Sequence, residues 1–293
     1  MSMETTNIIE PVIEPQLAST EPEDPYKGKY KYWAEAGVYL PPTEDELPYD
    51  DGVPMESDRH AWQLDLLKEP LMLAWAEKED VCVSGNMGVY YSLEQADKQN
   101  FRAPDFFISH NVPKRPRKSY AIWVEGKAPD LVIELLSDST AAADRGIKKG
   151  IYQDKMRVNE YILYDVETGQ VEAYRLDFSS SHSRLEYVPI PLGKDNAFAC
   201  EGAPELGLMT WEGEYRNVWN VWLRWFDLKT GEVLPTGAEM AKAEKKRADA
   251  ETQRADAETQ RAQELSNALL AEREKALKLA EKLRALGITP EEF

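Results

Sequence analysis

Three stretches decide how this chain folds: RAPDFFIS at 102–109, PDLVIELLSDST at 129–140 and DRGIKKGIYQDKMRVNEYILYD at 144–165. Asp105 heads the apolar run FFI, and Glu134 lies inside LVIELL. A charge placed in such a run is costly unless it is paired or bound to a cation. LVIELL has the continuous apolar character of a central strand covered on both faces, and EYILYD reads as a second strand of the same sheet. Between them, Ser139 or Thr140 can cap a helix running to about Met156, in which Ile147 and Ile151, one turn apart, are expected to face the core. Lys148 and Tyr152 lie beside that stripe. Two strand carboxylates with a helix lysine nearby suggest a magnesium site, because this hard cation takes oxygen ligands and retains water. The architecture implied is α/β, a mixed central sheet flanked by helices.

Upstream, Ser57 caps a predicted helix whose apolar positions Ala61, Leu64, Leu67, Leu71, Ala74 and Trp75 are spaced by three and four, with Pro70 expected to kink it. VCVSGNMGVYYSL follows as strand material with a turn or bulge at Gly85 and Asn86. YAIWVE is expected to be a strand. The loop before it contains KRPRK, four bases in five residues. Lys114, Arg115, Arg117 and Lys118 are therefore candidates for a phosphate grip, against the ordinary reading of a solvated loop. Downstream, VETGQ and KTGEVL read as hairpin turns, and the tryptophans at 211, 219, 222 and 225 read as packing residues.

The two ends differ from the middle. Residues 1–60 carry 14 acids and 4 bases, a large part of the formal charge of −18. Residues 1–48 are proline-rich and read as an extended acidic arm, 49–237 as the folded domain, and 238–293 as one long helix. In that helix RADAETQ occurs twice in succession. Its heptad seam is Ala and Glu as far as Glu258 and gains leucines from Leu265 onward, so a coiled coil would hold chiefly by its last turns. Two cysteines are too few for a disulfide framework and fit a reducing cytoplasm. No apolar run reaches the roughly 20 residues needed to span a bilayer. The overall acidity argues against indiscriminate nucleic-acid binding.

Read together, APDFFIS, PDLVIELLSDST and the run from Asp144 through VEAYRL resemble the Uma-two family of bacterial restriction endonucleases. The resemblance extends to DGVPMESDRHAW upstream and WEGEYRNVWNVWLRWFDLKTGEVLPT downstream, roughly residues 50–237. It implies the PD-(D/E)xK nuclease fold and a Mg2+- or Mn2+-dependent endonuclease acting on nucleic acid, with DNA as the expected substrate. Asp105 and Glu134 match the two acidic metal ligands. The simple motif would put lysine at 136, where this chain has Leu136. The resemblance implies instead a lysine moved to the following helix, four residues after Asp144 and four before Tyr152, which is Lys148. Lys149 lies about 100° further round and is the alternative. Glu56 and His60 could reach the same pocket. A long Ala/Glu/Arg helix is a frequent appendage of the family. A homodimer through the nuclease domain or this helix is a further expectation, and a binding or assembly module that keeps the fold is the competing function.

Overall fold

The computed structural model describes residues 57–92, 101–137, 139–178 and 185–286. The acidic arm and Glu56 lie outside the described residues.

Helix α1 (Asp58–Ala74) starts as expected, with the Ser57 hydroxyl accepting from His60 N. It runs unbroken past Pro70, which is buried within it. Strands β1 (Val81–Ser84), β4 (Phe106–His110), β6 (Leu131–Leu136), β7 (Glu160–Asp165), β8 (Val171–Asp177) and β9 (Glu186–Pro189) form one sheet in the order β1-β4-β6-β7-β8-β9. Within this sheet, among the described residues, only β6 and β7 pair in parallel. A parallel neighbour needs a crossover. Here the helical run 141–156, α3, provides it. Short strands β2 (Val89–Tyr90), β3 (Phe101–Arg102) and β5 (Tyr120–Ala121) form a side sheet. YAIWVE is thus a strand for two residues only and then turns into the short helix α2 (Ile122–Glu125).

All six residues of β6 are buried, and strand alternation divides them between two cores. Ile133 and Leu135 pack with Leu64, Leu67, Phe106 and Trp225 on the side covered by α1. Val132 and Leu136 pack with Phe107, Tyr152, Met156 and Tyr161 on the side covered by α3. Glu134 shares the parity of Val132 and Leu136 and so points toward α3. Strand β10 (Phe198–Ala199) and the hairpin β11 (Leu206–Tyr215) and β12 (Val218–Asp227) close the α1 side. The Gln63 amide bonds both backbone groups of Leu223, and the Trp225 indole donates to Leu67 O. Trp222 and Trp225 are buried as expected, whereas Trp219 is 67% exposed.

Of the two isoleucines expected to face inward on α3, Ile151 packs against the core and Ile147 does not. Ile147 is 71% exposed, and Asp144, Tyr152 and Met156 are the buried residues. The cause is a backbone that alternates α turns (Ala141–Ala143, Lys149–Ile151) with π turns (Asp144–Lys148, Tyr152–Met156). An α-helix has 3.6 residues per turn, so residues four apart drift round it; π turns, closed by i→i+5 bonds, are wider and drift the other way. Alternating them lines up 144, 148, 152 and 156 on one inner face.

Helix α4 (Gly237–Ala285) has 49 residues, none of them buried. Thr236 and Glu239 form a reciprocal capping box at its start.

Candidate active site

Asp105 is set by a close approach of backbones. A Cβ on Gly85 would stand 2.0 Å from Asp105 O, so only glycine fits there. Asn86 N also donates to Pro104 O at 2.9 Å. Continuing the β4–β6 register one step beyond Phe106↔Ile133 puts Asp105 opposite Glu134, and opposed residues of an antiparallel pair share a face. One Asp105 oxygen accepts from Leu135 N at 2.7 Å.

Glu134 is 1% exposed. Its Oε1 accepts from the Tyr152 hydroxyl at 2.7 Å, and its Oε2 lies 3.4 Å from the Lys148 ammonium. Lys148 Nζ is closer to Asp144 Oδ1, at 2.6 Å. The Tyr161 hydroxyl donates to the Asp144 carbonyl at 3.0 Å. The inner face of α3 thus meets the carboxylates with an acid, a base and a phenol at successive positions.

The electrostatics follow from one cation among three acids. Burial, with Asp105 and Asp144 nearby, pushes Glu134 up to about 8 despite Lys148. Burial also raises Asp105, against the Leu135 N–H and Lys148. Burial alone would lower the Lys148 ammonium, but Glu134 and Asp144 more than offset this and hold it charged. The lysine is well supplied with negative partners, while the carboxylates are short of positive ones. Burial and Glu134 together keep the Tyr152 phenol protonated, and therefore a donor.

Lys149 is not part of this cluster. Its Nζ lies 3.2 Å from the Tyr174 ring centroid, and burial lowers its pKa against the nearby Glu172. His60 is buried at the start of α1, its Nδ1 is 2.9 Å from the Ser57 hydroxyl, and its Nε2 has no hydrogen-bond partner. It lies near enough to act on Asp105 electrostatically. Leu64, one turn further along α1, would touch the same Gly85 Cβ as Asp105 O.

The basic loop sits elsewhere. It leaves the far end of β4, about 17 Å along the strand from Asp105. Arg115 and Arg117 both turn onto Glu125, at 2.7 and 2.8 Å, and the Arg117 side chain is 2% exposed. The Lys114 ammonium donates to Ala76 O at 2.7 Å, just past the end of α1. Lys118 is exposed.

Sequence reasoning passed over Asp144 and Tyr152 as site residues. Their signal was the i, i+4 spacing through Lys148, which an ideal α-helix does not keep in line.

The mixed six-stranded sheet, with its parallel β6–β7 pair joined by α3, is a restriction-endonuclease-like fold. The model of the Uma2 family, described as "Putative restriction endonuclease", matches residues 33–209, more than half of the chain. The protein belongs to this family. Among solved structures, one described as a putative nuclease belonging to DUF820 from Anabaena variabilis aligns with 52% of this chain and 85% of its own, at 17% identity and a TM-score of 0.32. No curated protein matches the chain. Among the described residues, no helix is long and apolar enough to cross a membrane.

Proposed function

We propose that this protein is a divalent-metal-dependent DNA endonuclease of the reducing cytoplasm. The charge balance of the site carries the reading. Among the described residues, Glu134 and Asp144 contact the ammonium of Lys148 and Asp105 acts on it electrostatically in a largely buried setting, so full ionisation of the three acids against this cation leaves two negative charges uncompensated.

The donor chemistry fits Mg2+ or Mn2+. The acids offer oxygen only, and among the described residues no three His, Cys, Asp or Glu side chains converge to hold an ion by themselves. Two carboxylates that leave the remaining positions to water suit a cation that dehydrates reluctantly. Asp105 and Glu134 would hold it, each with one oxygen already fixed, by Leu135 N and the Tyr152 hydroxyl respectively. Such an ion supplies charge neutralisation at the phosphate and a coordinated water of lowered pKa.

Lys148 directs its ammonium into the same space and stabilises charge gathering on the phosphoryl oxygens. His60 Nε2 offers a buried, unpartnered nitrogen to the arriving phosphate or its water; Glu56 lies outside the described residues and takes no role here. Lys114, Arg115 and Lys118 act as an outlying contact to the phosphate backbone, and Arg117 braces their loop on Glu125.

The test is incubation of the purified protein with supercoiled plasmid in Mg2+ or Mn2+, beside a chelator control and Glu134→Gln. Cleavage is expected with either ion and in neither control. An intact plasmid with both ions overturns the reading.

One observation supports association in addition. Leu265, Leu269, Leu279 and Leu286 are at least 60% exposed on α4. They form the apolar end of the heptad seam, and a second copy of the helix would cover them as a coiled-coil homodimer. Sedimentation of the full chain as a monomer at micromolar concentration overturns this.

A further inference from the structure

Asp144 is almost fully buried, yet it stands on the helix and outside the pair of strand carboxylates. Three uses are open to such an acid: ion ligand, structural partner, or holder of the lysine. The geometry separates them. Among the described residues no three acids converge on an ion site, so Asp144 does not join Asp105 and Glu134 as a third ligand. Its short contact is to Lys148, at 2.6 Å, against 3.4 Å from that ammonium to Glu134. Its backbone is pinned as well, because the buried Tyr161 hydroxyl on β7 donates to its carbonyl.

Lys148 needs a holder. Its side chain is 26% exposed, and a flexible four-carbon stem ordinarily carries its charge out to water. Glu134 cannot serve throughout, since it is the acid expected to turn its charge to an ion. Asp144 stands four residues before the lysine, a spacing at which helix side chains are neighbours, and the π turns keep the pair on the inner face beside Glu134.

We propose that Asp144 is the positioning residue of Lys148, an acid that stays off the metal and keeps the ammonium in the site when Glu134 is taken up by the ion. The inference rests on the nuclease reading above, and it adds a fourth charged side chain with a separate task. A buried ion pair is weak evidence for stability, so folding alone does not account for Asp144 beside Lys148.

The experiment compares Asp144→Asn with wild type in three measurements: plasmid cleavage with Mn2+, Mn2+ affinity by electron paramagnetic resonance, and acylation of Lys148 by a limiting amine reagent, read by peptide mass spectrometry. The expected result is a kcat lower by roughly tenfold to a hundredfold at little-changed KM. Mn2+ affinity should stay within about twofold, and Lys148 should be acylated several times faster as it leaves the inner face. Asp144→Glu should recover part of the rate. Tyr161→Phe leaves both charges in place and frees only the Asp144 carbonyl, so it should show a smaller change in the same direction, and it answers the question if Asp144→Asn does not fold. A tenfold loss of Mn2+ affinity would make Asp144 a ligand and overturn the proposal. Unchanged kcat and unchanged acylation in both variants would make the pair purely structural, with the same consequence. If wild type cuts nothing, the nuclease reading fails, and the acylation ratio still decides whether Asp144 holds the lysine.

Discussion

Helices α3 and α4 use opposite arrangements of the same residue types. In α3 an aspartate, a lysine and a tyrosine face inward while Ile147 lies in solvent; in α4 the charges and the leucines alike face outward. Composition does not explain the difference, since both segments mix Ala, Lys, Arg and acidic residues. Backbone geometry and neighbours do. The crossover α3 is pressed against a sheet and bent by π turns to keep one charged stripe aligned with Glu134. Among the described residues α4 buries no side chain and is tied to the domain at its root, so no neighbour selects which of its faces is inside.

Removing the inward charges of α3 and its facing strands one at a time should have the largest effect. Asp105→Asn and Glu134→Gln should each abolish cleavage with the fold intact. Lys148→Ala should slow it by on the order of a hundredfold or more at similar DNA affinity, and Lys149→Ala should be near wild type. Plasmid cleavage under single-turnover conditions measures all four. If Lys149→Ala were the more harmful lysine variant, the inner stripe would be misassigned.

A second test asks what holding Glu134 in place costs. Its pKa is about 8 in the folded protein against 4.5 for an ordinary glutamate. A raised folded value means that the contribution to stability is complete below pH 4.5 and is lost as pH rises through 8. The ceiling is about 5 kcal/mol, reduced by relaxation of the site. In metal-free buffer, Glu134→Gln should therefore melt above wild type at pH 9 and close to it at pH 4.5. Equal melting temperatures at both pH values would mean that Glu134 is not strained.

Truncations separate the root of α4 from its tip. Arg224 is 1% exposed, and its guanidinium is paired with both Glu239 oxygens, at 2.8 and 3.1 Å. Deletion of residues 238–293 removes that partner and should cost about 3 kcal/mol. A cut after Lys246 keeps Glu239, and the melting transition should be unchanged while the association state shifts. Thermal denaturation of the two truncations side by side decides it. The smallest effect is expected at the basic loop. Alanine at Lys114, Arg115 and Lys118 should flatten the salt dependence of DNA binding slightly, by no more than about one unit of slope per lost phosphate contact.

Most of the scaffold could be read from sequence where elements keep a regular period. LVIELL declared a central strand, Ser57 a cap, and the run from 238 a helix, because each obeys one local rule. Asp105 and Glu134 stood out as charges in apolar surroundings. The inner face of α3 could not be read in this way, since an irregular helix does not announce its turns in residue spacing, and Ile147 looked more apolar than Asp144. The setting of the basic loop could not be read either: a whole strand separates it from Asp105, and its partner Glu125 lies eight to ten residues further on, on α2.

The joint at the root of α4 also has a mechanical consequence. Thr236 and Glu239 cap the helix reciprocally, and Glu239 is gripped by buried Arg224, while Gly237 N donates to Glu69 on α1. The first turn is therefore clamped to the same helix that carries His60. At about 1.5 Å per residue, the remainder extends on the order of 70 Å outward. It acts as a boom with a fixed bearing, and a partner that seizes the leucines at its tip also fixes the heading of the sheet face where Asp105 and Glu134 meet.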